Sequence, residues 1–434
     1  MEQPARQLES GLPEPSAPAG ARTLVVVLED GLLRSELLME ALFSSPGRML
    51  ARFGAGGRAG MTALTDVLDQ ADLDYAHLPY EAEVLNRALA ARARGEKIYL
   101  AASRFPHHAA GIAAHLGFDG VVAPGAVTDA EIIPRRARSA TSFKATLKVW
   151  ARALRVYQYA KNTLVFVPVI TAHQLNPASL GAALLAFLAF SACASGAYLM
   201  NDLLDLAADR QHPTKRHRPL AAGDLGISAA LMAIPALWLF AVAASLAISP
   251  LFLVVLAAYL ATTIAYSLVL KRKMLVDVVT LAGLYTLRII AGAVGVGVVL
   301  SEWLLIFSLF VFTALALIKR FSELAMRESE GLKDPSNRDY RITDLTIIGA
   351  MAAASAMNAV TVFSLYVSSS AVTPLYSRPW MLWLLTPLLL YWFGRALMMA
   401  HRRQMPDDPI LYTFRDGASR ITVAAMICIM LLAI

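Results

Sequence analysis

Cysteine and charge are the two things this chain has little of. Only two cysteines occur in 434 residues, Cys193 and Cys428, and both fall within long apolar runs. No disulfide and no cysteine-bound metal is expected, and both thiols read as small apolar filler. Charged residues make up 16% of the chain against 57% hydrophobic ones, with a mean hydropathy of +0.54. A soluble protein sits far below that, so most of the chain belongs in lipid. Residues 1–21 have no apolar core either. They are rich in Pro, Ala, Ser and Glu, and read as a disordered tail with no cleavable signal. The net charge of +7 lies mostly in a few loops, where it suits membrane headgroups or phosphorylated substrates. Nothing in it asks for nucleic acid.

The apolar runs are uneven. Residues up to about 160 have the composition of a soluble segment, and nine candidate spans follow, at 159–173, 179–200, 227–248, 250–270, 275–298, 302–318, 345–370, 379–400 and 417–434. Alternate loops between them are also poor in one sign of charge. Those at 172–178, 249–250, 299–301 and 371–378 hold a single basic residue, Arg378. The others carry Arg210, Lys215, Arg216 and Arg218, then Lys271, Arg272 and Lys273, then Lys319, Arg320, Arg327, Lys333, Arg338 and Arg341, then Arg402, Arg403 and Arg415. The positive-inside rule puts every basic loop, and the N-terminal domain, on the cytoplasmic side of the cell's inner (plasma) membrane.

One loop stands out. "NDLLDLAADRQHPTKRHRPLAAG", Asn201–Gly223, follows an almost wholly apolar run. Asp202, Asp205 and Asp209 are spaced i, i+3, i+7, which predicts one helical face about 60° wide. Three converging carboxylates repel each other unless a cation resolves them. A hard divalent ion such as Mg²⁺ does so and keeps open positions for phosphate oxygens. Lys215, Arg216 and Arg218 follow at once and offer donors to those phosphates. The plainer reading is a solvated loop whose charges pair with one another.

"NDLLDLAAD" resembles the N-D-x-x-D-x-x-x-D signature of the UbiA superfamily of intramembrane prenyltransferases, and the likeness covers about residues 150–434. Three further stretches make it most similar to the decaprenyl-phosphate phosphoribosyltransferase branch: "DRQHPTKRHRPLAAG", "YQYAKNTLVFVPV" with Lys161 and Asn162, and "PDDPILYTFRD". The resemblance implies a multi-pass all-α bundle of nine transmembrane helices. It also implies a diphosphate held through Mg²⁺ by Asp202, Asp205 and Asp209, with Asn201 one turn from Asp205. In that branch the donor would be phosphoribosyl pyrophosphate and the acceptor a polyprenyl phosphate. Membrane lipids surround such an enzyme, and a homo-oligomer is compatible with it. Aromatic prenyltransferases of the superfamily carry a second D-x-x-x-D after the sixth span. Here that loop holds Glu328, Glu330, Asp334, Asp339 and Asp344, none of which forms D-x-x-x-D, and this weakens the case for a prenyl diphosphate donor.

The remaining candidates lie in the later spans. Tyr266, Lys271 and Arg272 sit at the mouth of a span that also carries Asp277, Tyr285 and Arg288. Positions 277 and 288 share a helical face, and intramembrane Asp and Arg face a bundle interior. They serve either as catalytic and substrate contacts or as a structural brace. "KRFSEL" places Lys319, Arg320 and Glu323 at the next mouth, as a phosphate clamp or as a boundary marker.

In the N-terminal part, "TLVVVLE" (23–29), "KIYLAAS" (97–103) and "GVVAP" (120–124) read as strands, with helical patterns at 32–44, 81–95 and 106–117. This is a small soluble α/β pattern. "VVVLEDGLLRSELLMEAL" and "LPYEAEVLNRALAARARGEKIYLAAS" resemble a haloacid-dehalogenase-type core. Asp30 and Ser103 fit its second acid and its phosphate-binding position, but Leu28 stands where the nucleophile would be, with Glu29 on the opposite strand face. A leucine cannot form a phosphoaspartate. The expected organisation is a tail at 1–21, a degenerate non-catalytic domain at 22–140, and the membrane transferase at 141–434. A prenyltransferase acting on an aromatic or quinone precursor is the alternative activity. A non-enzymatic carrier explains the spans but gives no reason for the aspartate spacing.

Overall fold

The computed structural model describes residues 23–44, 68–102, 104–127, 130–133, 142–335, 338–405 and 409–434. The tail at 1–21, Ser103, and Asp407 and Asp408 lie outside them. The chain divides into two compact units, one formed by Met1–Ala153 with Asp202–Leu231, the other by Leu154–Asn201 with Met232–Ile434.

The first unit is built on four parallel strands, β1 Thr23–Val27, β2 Lys97–Ala101, β3 Gly120–Val122 and β4 Glu131–Ile133, in the order β3-β2-β1-β4. Helices α1 Leu37–Ser44, α2 Ala82–Ala93, α3 Pro106–Leu116 and α4 Phe143–Ala153 belong to the same unit. Alternation along β1 sends Leu24 and Val26 into the main core with Ile98, Leu100 and Ile112. Val25 packs on the other face with Ala101 and Val122. Three of the four strands were expected; the three-residue β4 carries too little pattern to be read.

Two expectations about β1 change. The strand ends at Val27, and Leu28–Leu32 form a single wide helical turn, so Glu29 has no strand face to point from. Leu28 is fully buried in the core.

His108, on α3, is fully buried. One ring nitrogen lies 2.7 Å from the Leu68 carbonyl and the other 3.2 Å from the Tyr75 hydroxyl. Burial holds this imidazole below its ordinary value of 6.5, although the Leu68 carbonyl opposes the shift. Above pH 6.5 both folded and unfolded chains are neutral here, and the contribution is complete. Below it the unfolded chain takes up the proton first, so stability drains away as pH falls through the folded pKa. Thermal unfolding of the first unit should therefore occur at lower temperature at pH 5.5 than at pH 7.5. In His108→Gln that difference should shrink.

The second unit is helical. Across the chain, seven helical stretches among the described residues are long and apolar enough to cross a membrane: Pro177–Leu204, Ile227–Ile248, Pro250–Leu268, Val276–Val296, Glu302–Ser329, Ile342–Ser368 and Pro379–His401. Their α-helical parts are α6 Pro177–Leu204, α8 Ile227–Ile248, α9 Pro250–Leu268, α10 Val276–Val296, α11 Glu302–Ser329, α12 Leu345–Ser368 and α13 Leu385–His401. Two of the nine expected spans differ. Residues 159–173 fold as a tight 3₁₀ stretch, Val156–Phe166, followed by the five-residue α5, Val167–Thr171. Residues 417–434 give α15, Gly417–Ala433, of 17 residues, after the short α14, Pro409–Arg415.

The irregular first segment has a physical cause. A Cβ on Gly292 of α10 would meet the Val165 carbonyl oxygen at 2.1 Å, so backbone lies directly against backbone there. Long 3₁₀ runs are uncommon and mark such constrained places. Asn162, within this run, is buried and donates to Ser191 Oγ at 3.1 Å.

Candidate functional site

The aspartate segment is not one helix. Helix α6 ends at Leu204, and Asp205, at φ −94° and ψ 8°, caps the short α7, Leu206–Gln211. The single 60° face expected of the three aspartates is therefore broken. Asp202 and Asp209 are 4% and 2% exposed, while Asp205 is exposed to solvent. Asp205 makes no side-chain capping bond to the first amides of α7.

The buried pair converges on one atom. Arg218 Nη1 lies 3.1 Å from Asp202 Oδ1 and 2.6 Å from Asp209 Oδ2. Lys215 Nζ is 3.8 Å from Asp209 Oδ1, and Arg216 is exposed in the turn Lys215–His217. One guanidinium nitrogen thus occupies the point where two carboxylates demand positive charge. Among the described residues no group of three acidic, His or Cys side chains stands close enough to hold a metal. Mg²⁺ does not need three: it takes one or two carboxylates and completes its shell with water and phosphate oxygens. Asp202 and Asp209 fit that demand, and Asp205 is not brought to them.

Sequence reasoning passed over the residue that organises this loop. Arg210 is buried, donates from Nη2 to Glu40 Oε1 at 2.6 Å and from Nη1 to Glu40 Oε2, and gives its Nε to the Ala221 carbonyl at 3.2 Å. Glu40 sits beside the buried Leu37 and Ala41 of α1. An acid interrupting that apolar stripe was the available signal.

In the helical unit, Asp277 and Arg288 belong to different centres. They stand eleven residues apart on α10, roughly 16 Å along its axis, and bind different partners. Arg288 donates to Asn162 Oδ1 at 2.9 Å, to the Leu284 carbonyl at 2.6 Å and to Tyr259 Oη at 2.9 Å. Its guanidinium also lies 5.4 Å from the Tyr285 ring centroid, and Lys161 Nζ lies 5.9 Å from that ring. These contacts make Arg288 a brace between α10, α9 and the 3₁₀ segment.

Asp277 is fully buried and is met by Arg320 Nε at 2.9 Å, Arg338 Nη1 at 3.4 Å and the Tyr340 hydroxyl. Glu323 completes the network through Arg320 and lies 3.8 Å from Arg338 Nε. Burial, and then the bond to Asp277, pushes the Tyr340 phenol up, so it stays a donor. Arg320 Nη2 is buried with no hydrogen-bond partner among the described residues. Such an orphan donor needs an explanation, and a substrate oxygen supplies one. Arg338 and Tyr340 come from a loop with no recognisable motif and were not foreseen.

The other expected contacts are more scattered. Asn201 donates to Ser267 Oγ at 3.1 Å. Lys319 is half-buried on α11, next to Arg320. Tyr266 and Lys271 are half-buried and Arg272 is exposed, and neither cation forms an ion pair with another described residue.

The sequence profile of the UbiA prenyltransferase family matches residues 163–416. The chain belongs to that family. As a UbiA-family member with seven membrane-length helices it is a multi-pass membrane protein. It is 30% identical to protein y4nM of Sinorhizobium fredii over 91% of this chain and 88% of that one. It is 32% identical to the decaprenyl-phosphate phosphoribosyltransferase of Corynebacterium glutamicum, over 46% of this chain and 63% of that protein. Among solved structures, a UbiA homolog from Archaeoglobus fulgidus bound to GPP and Mg²⁺ superposes with a TM-score of 0.50 at 17% identity. That match covers 65% of this chain and 99% of the homolog. This last likeness is one of fold, and it agrees with the helical unit expected from the sequence.

Proposed function

We propose that this UbiA-family protein is a Mg²⁺-dependent transferase that moves phosphoribose from phosphoribosyl pyrophosphate to a polyprenyl phosphate. The observation that carries the reading is the convergence of Asp202 and Asp209 on a single cationic nitrogen. The similarity to a decaprenyl-phosphate phosphoribosyltransferase supports it. Asp202 and Asp209 would hold the metal, with Asp205 at the exposed edge of the loop. The metal's contribution when bound is to neutralise charge on the departing pyrophosphate.

The chain's own groups do the rest. Lys215, Arg216 and Arg218 offer N–H donors that suit phosphate oxygens. An acceptor phosphate oxygen forms a bond to C1 of the ribose, the C1–O bond to pyrophosphate breaks, and pyrophosphate leaves with the electron pair. The acceptor is already ionised, so no strong general base is required. Positioning and charge complementarity supply most of the rate. In the helical unit, the unpartnered Arg320 Nη2 is offered to an anionic substrate group, while Lys161, Asn162, Tyr285 and Arg288 form a separate cluster further along α10. The basic loops and the α/β domain lie on the cytoplasmic side of the inner membrane. We read residues 22–140 as a haloacid-dehalogenase-like domain without phosphatase activity, on account of Leu28.

Prenyl transfer from a polyprenyl diphosphate to an aromatic or quinone precursor is the second reading, and the family supports it as a class. One assay separates the two. Purified protein is incubated with Mg²⁺, labelled phosphoribosyl pyrophosphate and polyprenyl phosphate, and the lipid is extracted. Label in the lipid phase supports the first reading. Label confined to water, together with transfer from a prenyl diphosphate to an aromatic acid, replaces it with the second.

Lys215→Ala should raise the apparent Michaelis constant for the donor about tenfold, the equivalent of one charge-assisted hydrogen bond. The constant for the lipid should stay put. The reverse pattern would assign Lys215 to the acceptor phosphate.

A further inference from the structure

We infer that Glu40 is a positioning residue for the aspartate loop, and that the N-terminal α/β domain is thereby a working part of the transferase. This rests on the reading of Asp202 and Asp209 as the ligands of the donor's metal.

The loop cannot hold its own shape. Helix α7 has six residues, far below the length at which an isolated helix is stable in water. It begins at the break at Asp205 and carries Asp209 in its first turn. Arg218 offsets the repulsion between Asp202 and Asp209, but it comes from the same loop and does not anchor the short helix that carries Asp209. The compact unit that contains residues 202–231 is the one that contains the parallel sheet.

The fixing is concentrated at the residue after Asp209. Arg210 grips Glu40 with both terminal nitrogens and the Ala221 carbonyl with its third, so one guanidinium joins α1, α7 and the far side of the loop. The two side chains are 7% and 2% exposed. A buried ion pair is a poor source of stability, because desolvation offsets the attraction, and its best-attested use is to fix register.

Weaker ties surround it. Arg34 and Arg152 both reach Asp224, at 2.6 and 3.2 Å, and Ser228 donates to Glu36 at 2.8 Å. Gln211 donates to Asp74 at 2.9 Å. Gly223, at φ +70°, lets the chain turn where a Cβ would meet Arg34 Cβ at 2.8 Å and Pro79 Cβ at 3.1 Å. The domain that has a leucine in place of a nucleophile thus clasps the loop on both sides of its basic stretch. Groups that orient metal ligands from behind typically change metal affinity 10–100-fold when removed.

The test uses the full-length protein in lipid nanodiscs, with Glu40→Gln, Glu40→Asp and the double variant Glu40→Met with Arg210→Met. The double variant removes the pair without leaving a buried charge alone, so the domain stays folded. Amide hydrogen exchange of the metal-free protein is read first. Peptides from 206–223 should exchange at least tenfold faster in Glu40→Gln and in the double variant, with peptides from 385–401 unchanged. Titration with Mn²⁺ should then show half-saturation raised 10–100-fold, with Glu40→Asp between these variants and the wild type. The donor Michaelis constant should rise more than kcat falls. Loop exchange and Mn²⁺ half-saturation within twofold of wild type in the double variant would overturn the inference. Asp209→Asn is measured alongside. If Mn²⁺ binding survives that change, the metal reading fails, and loop exchange still decides on Glu40.

Discussion

Asp202→Asn and Asp209→Asn should each lower turnover by roughly 10²-fold or more, the scale seen when one preorganised electrostatic partner is lost from a site. The fold and membrane insertion should be unaffected. Each change removes one of the two buried charges that meet at Arg218 Nη1. The remaining carboxylate then faces Arg218 alone, and that neutral pair has little attraction left for a divalent cation. Higher Mg²⁺ should therefore recover part of the activity in either variant, as a raised half-saturation would require. Asp205→Asn is the informative comparator, because this carboxylate is exposed and absent from the pair. A much smaller loss is expected from it. An equal loss, with the same dependence on Mg²⁺, would mean that the loop gathers all three aspartates when substrate binds. Near-normal turnover in both Asp202→Asn and Asp209→Asn would place the metal elsewhere. Radiolabel transfer measured across a Mg²⁺ series reads all three cases.

The sequence disclosed the charges of this loop better than its shape. Aspartates at i, i+3 and i+7 beside three basic residues announce a cluster of opposite charges from residue types alone. Their geometry depends on a helix break that the pattern hides, since "NDLLDLAAD" has helical periodicity on both sides of Asp205. Arg210 was visible only as one positive charge among several. Its role depends on Glu40, 170 positions earlier, and no local rule links residues at that separation. Asp277 and Arg288 show the opposite failure. A shared helical face suggested a shared task, yet each found partners on other elements: Arg320, Arg338 and Tyr340 for one, Asn162 and Tyr259 for the other. Periodicity reports which way a side chain points and not who meets it there. The same limit explains the first segment, where hydropathy suggested a span. Contact between the Gly292 position and the Val165 carbonyl, with Asn162 bound to Arg288, accompanies a 3₁₀ run instead.

The buried network around Asp277 gives the second large effect. Asp277→Asn should destabilise the helical unit by about 3–5 kcal/mol, because Arg320 and Arg338 are left with a single acid, Glu323, between them. In a thermal unfolding curve of the detergent-solubilised protein this corresponds to a fall of roughly 6–20 °C, taking the scaling for units of comparable length. The asparagine keeps a single accepting oxygen, so it serves either the Tyr340 hydroxyl or the arginines but not both, while the Tyr340 oxygen still accepts from the Leu275 amide at 2.9 Å. Stability and function can then be separated with a partner change. Asp277→Leu combined with Arg320→Met removes both charges and fills similar volume, so most of the lost melting temperature should return. Transfer activity should not return with it, because Arg320 Nη2 is a buried donor that no described group satisfies. Recovery of both would reduce the network to a scaffold and leave phosphate recognition to the aspartate loop. Recovery of stability alone assigns Arg320 to the substrate, and a donor or acceptor Michaelis constant measured in Arg320→Lys then tells which phosphate it meets. Lysine keeps the charge but not the fork, so the affected constant should rise while the other holds.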